Sequence, residues 1–126
     1  MNLGVLKLIL IILFLSFPSL SEPLEGYSVD IQILDKITAK VKTLEVKVNS
    51  FTKFQSLKIE VYTCFKNPPD QVPENYVLLK IFDEIDKSNS KLIYQGWMIS
   101  SSPASTPLEH PIYDLWLKNC IIKKDF

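Results

Sequence analysis

The only histidine of the chain, His110, follows Glu109 and stands four residues before Asp114, with serines at 100, 101, 102 and 105 just upstream. A hydroxyl, an imidazole and a carboxylate this close together are the parts of a hydrolase. The arrangement around them is not. There is no Gly-x-Ser-x-Gly elbow and no glycine-built loop for an oxyanion, and serines in a proline-rich stretch ordinarily cap turns. No catalytic residue is therefore assigned, and the plain expectation for His110 is a loop imidazole bonded to backbone or to Asp114. One His, one adjacent Glu and two Cys also fall short of the four ligands a structural zinc takes. No metal or cofactor site is expected.

Trp97 and Trp116 bracket this segment. Both have apolar neighbours, so the expected role is core filling; the sharper alternative is a platform for a sugar or a partner on one sheet face. The two cysteines, Cys64 and Cys120, form an even count and lack the Cys-x-x-Cys spacing of a redox pair. In an exported chain they read as one disulfide staple.

Composition narrows the classes. The 126 residues suit one domain, and 47% apolar residues with only 3 glycines exclude disordered and collagen-like chains. The 14 basic and 14 acidic residues cancel, and every basic residue is Lys. A chain without net charge or a guanidinium fork is poorly equipped for phosphate backbones, so no nucleic-acid partner is expected.

At the N-terminus, Lys7 precedes an unbroken apolar run from Leu8 to Leu15, extended by Phe17 and broken by Pro18. Ser19-Leu20-Ser21 then offers small residues where a signal peptidase reads. Residues 1–21 are expected to be a secretory signal peptide cleaved after Ser21. The rival is an uncleaved anchor, but a spanning helix takes about 20 apolar residues and this run is shorter. Cleavage would place the mature chain in the periplasm with no membrane span.

The elements that must position these residues read as strands. Residues 22–33, with Pro23 and Gly26, are expected to form a flexible leader, and 34–126 a single β domain. Ile37, Ala39 and Val41 alternate, then Leu44, Val46 and Val48 alternate after a slip of one residue, as two strand segments joined at a bulge would. Leu34, Ile37, Val41, Leu44 and Val48 also fit a heptad, but the stretch is short and rich in β-branched residues, which favours strand. Leu57, Ile59 and Val61 alternate with polar residues, which leaves Cys64 in phase with the wet face. Lysines and acids on such half-wet strands read as a solvated face. Residues 67–73 are a proline loop, and Tyr76 to Phe82 is apolar on both faces except at Lys80, as in a central strand. A turn at 86–90 leads to a strand over 92–99, where Gly96 marks a bulge or a close backbone approach. A second proline loop, 100–111, precedes a last strand over 112–120 and a tail to Phe126. The expected fold is all-β, a small antiparallel sandwich or partly open barrel with two proline-rich loops.

Several of these residues together carry a resemblance. Leu34-Asp35-Lys36-Ile37-Thr38-Ala39 and Cys64-Phe65-Lys66-Asn67-Pro68-Pro69 open it. Gly96-Trp97-Met98, Ser101-Ser102-Pro103, Leu108-Glu109-His110-Pro111, Tyr113-Asp114, Trp116 and Cys120 complete it. From Leu34 to Cys120 the chain resembles the exported bacterial family known as domain of unknown function 2155. The resemblance implies export and one small domain, and no established activity.

Two functions of different classes follow. The first is a non-catalytic interaction or structural module in the periplasm, whose rigid loops or sheet edge bind an envelope protein. The second is a small-ligand or glycan binder, less readily a hydrolase, built from Trp97, Glu109, His110, Asp114 and Trp116. In either case the long, proline-stiffened segment from Trp97 to Trp116 is expected to carry recognition. A closed pocket holding His110 and Asp114 would favour the second.

Overall fold

A computed structural model describes residues 1–18, 21–86 and 88–123. Ser19 and Leu20 of the expected cleavage site, Lys87 in the 86–90 turn and the end of the tail lie outside these residues. The apolar N-terminal run forms a helix, α1 (Leu3–Phe14), none of whose residues is buried. Among the described residues no helix is long and apolar enough to cross a membrane.

Among the described residues eight strands follow: β1 (Leu24–Glu25), β2 (Ser28–Asp35), β3 (Lys40–Lys47), β4 (Ser50–Phe54), β5 (Leu57–Lys66), β6 (Asn75–Asp86), β7 (Asn89–Ile99) and β8 (Tyr113–Ile121). They form two antiparallel sheets, one ordered β3-β2-β8 and the other β1-β5-β6-β7 with β4 also on β5. The sheets do not close on each other, so the fold is a sandwich rather than a barrel. Alternate residues face inward, as the strand period requires. Val29, Ile31 and Ile33 from one sheet meet Ile59, Val61, Val77, Leu79 and Ile81 from the other, all almost fully buried. Each such side chain contributes roughly 1.5–3 kcal/mol by leaving water.

Four expectations are corrected. The leader is not flexible from 22 to 33: β2 is the central strand of its sheet, paired on both sides, and supplies three of the most buried residues. Its Val-x-Ile-x-Ile alternation, hidden behind Pro23 and Gly26, outweighs the local turn signals. Second, residues 36–39 are a hairpin turn and not a strand segment. The Asp35 carboxylate accepts the N–H groups of Ile37 and Thr38, Ala39 takes a positive φ of 56°, and Ile37 is exposed. The apparent slip at Lys42 and Thr43 is no bulge either: β3 is in regular register there, and exposed Val41 lies on the opposite face from Leu44 and buried Val46. Third, β4 was not foreseen; the chain turns at Asn49 (φ 60°) and passes from the smaller sheet to the larger.

The fourth concerns Cys64. An extra residue, Tyr62, sits between Val61↔Leu79 and Thr63↔Leu78, and this bulge reverses the side-chain phase. Cys64 is therefore fully buried. A bulge or a close backbone approach was also expected at Gly96, but the ladder there is regular, the extra residue is Ile93, and no backbone atom beyond its chain neighbours approaches within 4 Å of a Cβ position. Gly96 is needed instead for its φ of +150°; a Cβ there would make only an ordinary contact, 3.8 Å, with the Tyr94 hydroxyl.

Cys64 on β5 and Cys120 on β8 are disulfide-bonded, with Cα atoms 5.9 Å apart. The bridge thus joins the two sheets. Gly26 lies directly on it: its N–H bonds the Cys64 carbonyl at 2.9 Å, and a Cβ there would overlap both sulfurs and come within 2.9 Å of the Ile121 carbonyl oxygen.

Candidate functional site

His110 is 7% exposed. Its Nδ1 accepts the N–H groups of Ile112 (3.0 Å) and Tyr113 (3.2 Å), so the ring proton sits on Nε2, which donates to Asp83 at 3.0 Å. The expected bond to backbone is present; the carboxylate partner is Asp83 on β6, not Asp114. Burial would raise the Asp83 pKa, but hydrogen bonds from His110, the Ile85 N–H and the Ser56 hydroxyl outweigh it and hold the carboxyl below its usual range. The ring lies against Tyr113, centroids 5.2 Å apart, which in turn meets Phe54 edge-on. Both nitrogens are committed, and no serine reaches them.

Asp114 instead ion-pairs with Lys36 at 3.1 Å, and Lys36 also donates to the His110 carbonyl at 2.8 Å. Glu109 is exposed. These contacts tie the second proline loop to β6 and to the β2–β3 turn, a brace across one end of the sandwich. The serines divide. Ser105, the last residue of the short 3₁₀ turn Pro103–Ser105, donates its hydroxyl back to the Ser102 carbonyl at 2.8 Å, a bond within the loop. Ser100 and Ser101 instead donate to Glu74, Ser101 through both its hydroxyl and its N–H. Burial opposes the charge on Glu74, yet bonds from Ser101, Ser100 and the Asn75 N–H outweigh it and lower its pKa.

These two depressed carboxyls set an acid response. The unfolded chain binds protons at Glu74 and Asp83 near pH 4, where the folded one still does not. Their stabilisation is complete above that range and is lost as pH falls through the folded values. The urea midpoint should drop between pH 6 and pH 3, and Asp83→Asn should flatten part of that slope; a midpoint independent of pH in this window would contradict the account.

Neither tryptophan fills the core, contrary to expectation. Trp116 alternates with buried Leu115 and Leu117 and so lies on the outer face of the smaller sheet, its Nε1 donating to Gln32 at 2.9 Å. It borders an open groove of about 270 Å³ under the loop, with Pro103, Pro107, Leu108 and Asp114. Trp97 alternates with buried Met98, is 44% exposed, and packs on Phe65 on the outer face of the larger sheet. The two rings face away from each other. Trp97, Glu109, His110, Asp114 and Trp116 do not converge on a pocket.

The outer face of the larger sheet was missed as a site. Phe51, Tyr62, Phe65, Tyr76, Leu78, Phe82 and Trp97 all alternate with inward residues there, with Phe51 56% and Tyr62 39% exposed. Lys58 covers part of it: its ammonium stands 4.8 Å from the Phe51 centroid and pairs with Glu60 at 2.9 Å. Lys80 stands 5.4 Å from the Tyr62 centroid. The two-sided apolarity of Tyr76–Phe82 was the available signal, since a sandwich strand needs only one apolar face.

Residues 29–120 match the family described as an uncharacterized protein conserved in bacteria, DUF2155. An uncharacterized protein of Rickettsia prowazekii (strain Madrid E) is 36% identical over 87 residues, covering 69% of this chain. The chain spans 56% of the length of that relative. No solved structure matches the chain. The family match runs from the first inward residue of β2 to the second cysteine of the inter-sheet bridge, and the chain belongs to the DUF2155 family.

Proposed function

We propose that the protein is an exported, non-catalytic module of the bacterial envelope that docks on another protein through the outer face of its larger sheet. The carrying observation is that face itself: seven aromatic or aliphatic side chains on adjacent strands, with Trp97 and Phe51 about half exposed. Clustered exposed aromatics mark interaction surfaces, and Trp and Tyr dominate binding hot spots. The apolar N-terminal run and the buried disulfide support export to an oxidising compartment. The glycan-pocket reading loses support because its residues point in different directions.

The test is recovery of the tagged chain from envelope after crosslinking. Its intact mass should correspond to a chain beginning at Glu22, and Trp97→Ser should reduce partner recovery by about tenfold or more, as a hot-spot loss does, with melting unchanged. A product retaining residues 1–17 would remove the cleavage. Equal recovery from Trp97→Ser and from a Phe51→Ser, Trp97→Ser double variant would remove the docking face.

A further inference from the structure

We infer that the partner on this face is a second copy of the chain, packed face to face about a two-fold axis that runs along the strands between β5 and β6. The inference rests on reading the face as a docking surface and goes on to identify what docks there.

The register carries it. On the outer face, β5 and β6 place Lys58 opposite Phe82, Glu60 opposite Lys80, Thr63 opposite Leu78 and Phe65 opposite Tyr76. A two-fold axis between the strands lays each row over the same row reversed, as an isologous interface requires. Glu60 of one copy then meets Lys80 of the other, and this contact occurs twice. Lys58 meets Phe82, an ammonium over a ring. Thr63 meets Leu78, and Phe65 meets Tyr76. On the flanking strands, Phe51 pairs in register with Glu60 and Gln95 with Lys80, so Phe51 of one copy lies over Gln95 of the other. Trp97, in the row of Leu78, lies over the junction where β4 ends and β1 begins along β5.

Charge agrees with this placement, and area sets its strength. Lys80 has no carboxylate within 4 Å among the described residues, whereas Lys58 holds Glu60 and Lys53 holds Glu84. The Glu60 of its own copy, opposite Lys80 on β5, is held by Lys58 and the Tyr62 hydroxyl, and a second copy brings a further carboxylate, the other Glu60, against Lys80. Four strand widths by the six rises from Tyr76 to Phe82 make a footprint of about 19 by 20 Å. Two such faces total about 760 Å² before the relief of protruding rings is added, below the roughly 1,200 Å² of stable specific interfaces and in the range of a weak, reversible dimer.

The test is a charge exchange, read by light scattering and sedimentation equilibrium on the processed chain up to about 100 μM, a range suited to an interface of this size. The unsubstituted chain should approach twice the monomer mass. Lys80→Glu alone and Glu60→Lys alone should each be monomeric, and mixing the two should restore the dimer, because both inter-copy contacts then join Glu to Lys. Unchanged circular dichroism and melting of the single variants keep the readout free of folding effects. An unsubstituted chain that stays monomeric, or a dimer that either single variant leaves intact, overturns the inference. A mixture that fails to pair also overturns it. If the chain is monomeric while Trp97→Ser still loses an envelope protein, self-association falls and the docking face stands. If recovery is unchanged as well, both fall.

Discussion

Replacing Cys64 and Cys120 together by Ala should lower the unfolding free energy by about 4 kcal/mol, the loop-closure value for a bridge that spans 56 residues. That is a large share of the roughly 5–15 kcal/mol a domain of this size has. Gly26 makes the expectation sharper. In the oxidised protein a methyl at position 26 would overlap both sulfurs, so Gly26→Ala should cost about 3 kcal/mol, toward the upper end of overpacking effects. Once both sulfurs are gone, the two nearest obstacles are removed while the Ile121 carbonyl remains, and the same substitution should cost at least about 1 kcal/mol less. Urea unfolding of the four proteins in the cycle measures this coupling. Strict additivity would mean that Gly26 is not held by the bridge.

The second large effect belongs to His110. His110→Ala strips Asp83 of its imidazole donor and leaves the N–H groups of Ile112 and Tyr113 without their acceptor, in a nearly dry position. Unpaired buried groups cost about 1–3 kcal/mol each, partly recovered by water or by collapse. A net loss of about 3 kcal/mol is expected. Glu109→Ala and Asp114→Ala should each stay within about 1 kcal/mol, because one is exposed and the other makes a half-exposed ion pair. A large loss for Asp114→Ala beside a small one for His110→Ala would reverse the assignment of the brace.

The outline of the fold was legible where two local signals agreed. The alternation of Leu57, Ile59 and Val61, the proline loops and the last strand all agree with the structure. Reading failed where one residue changed the phase. Tyr62 adds itself to β5 and turns Cys64 inward, and no property of Tyr62 alone announces a bulge. β2 was obscured by Gly26, which is there for the disulfide and not for flexibility. The site was harder still. His110 was singled out because it is rare, but its partner Asp83 is 27 residues away and only the sandwich brings them together. The aromatic face is assembled from four strands; the two-sided apolarity of Tyr76–Phe82 marked one of them, and the rest of the pattern exists only in the cross-strand register.

That β2 lies between β3 and β8 has a consequence for biogenesis. Its inner pairing, Val29 with Cys120 and Ile33 with Leu115, joins the beginning of the domain to its last strand. Contacts so distant in sequence form late and slowly. The smaller sheet is therefore incomplete, and the core open on one side, until β8 has left the ribosome. The disulfide likewise waits for Cys120 of β8 to reach Cys64 on β5, so the bridge that locks the two sheets together can close only after the last strand is made.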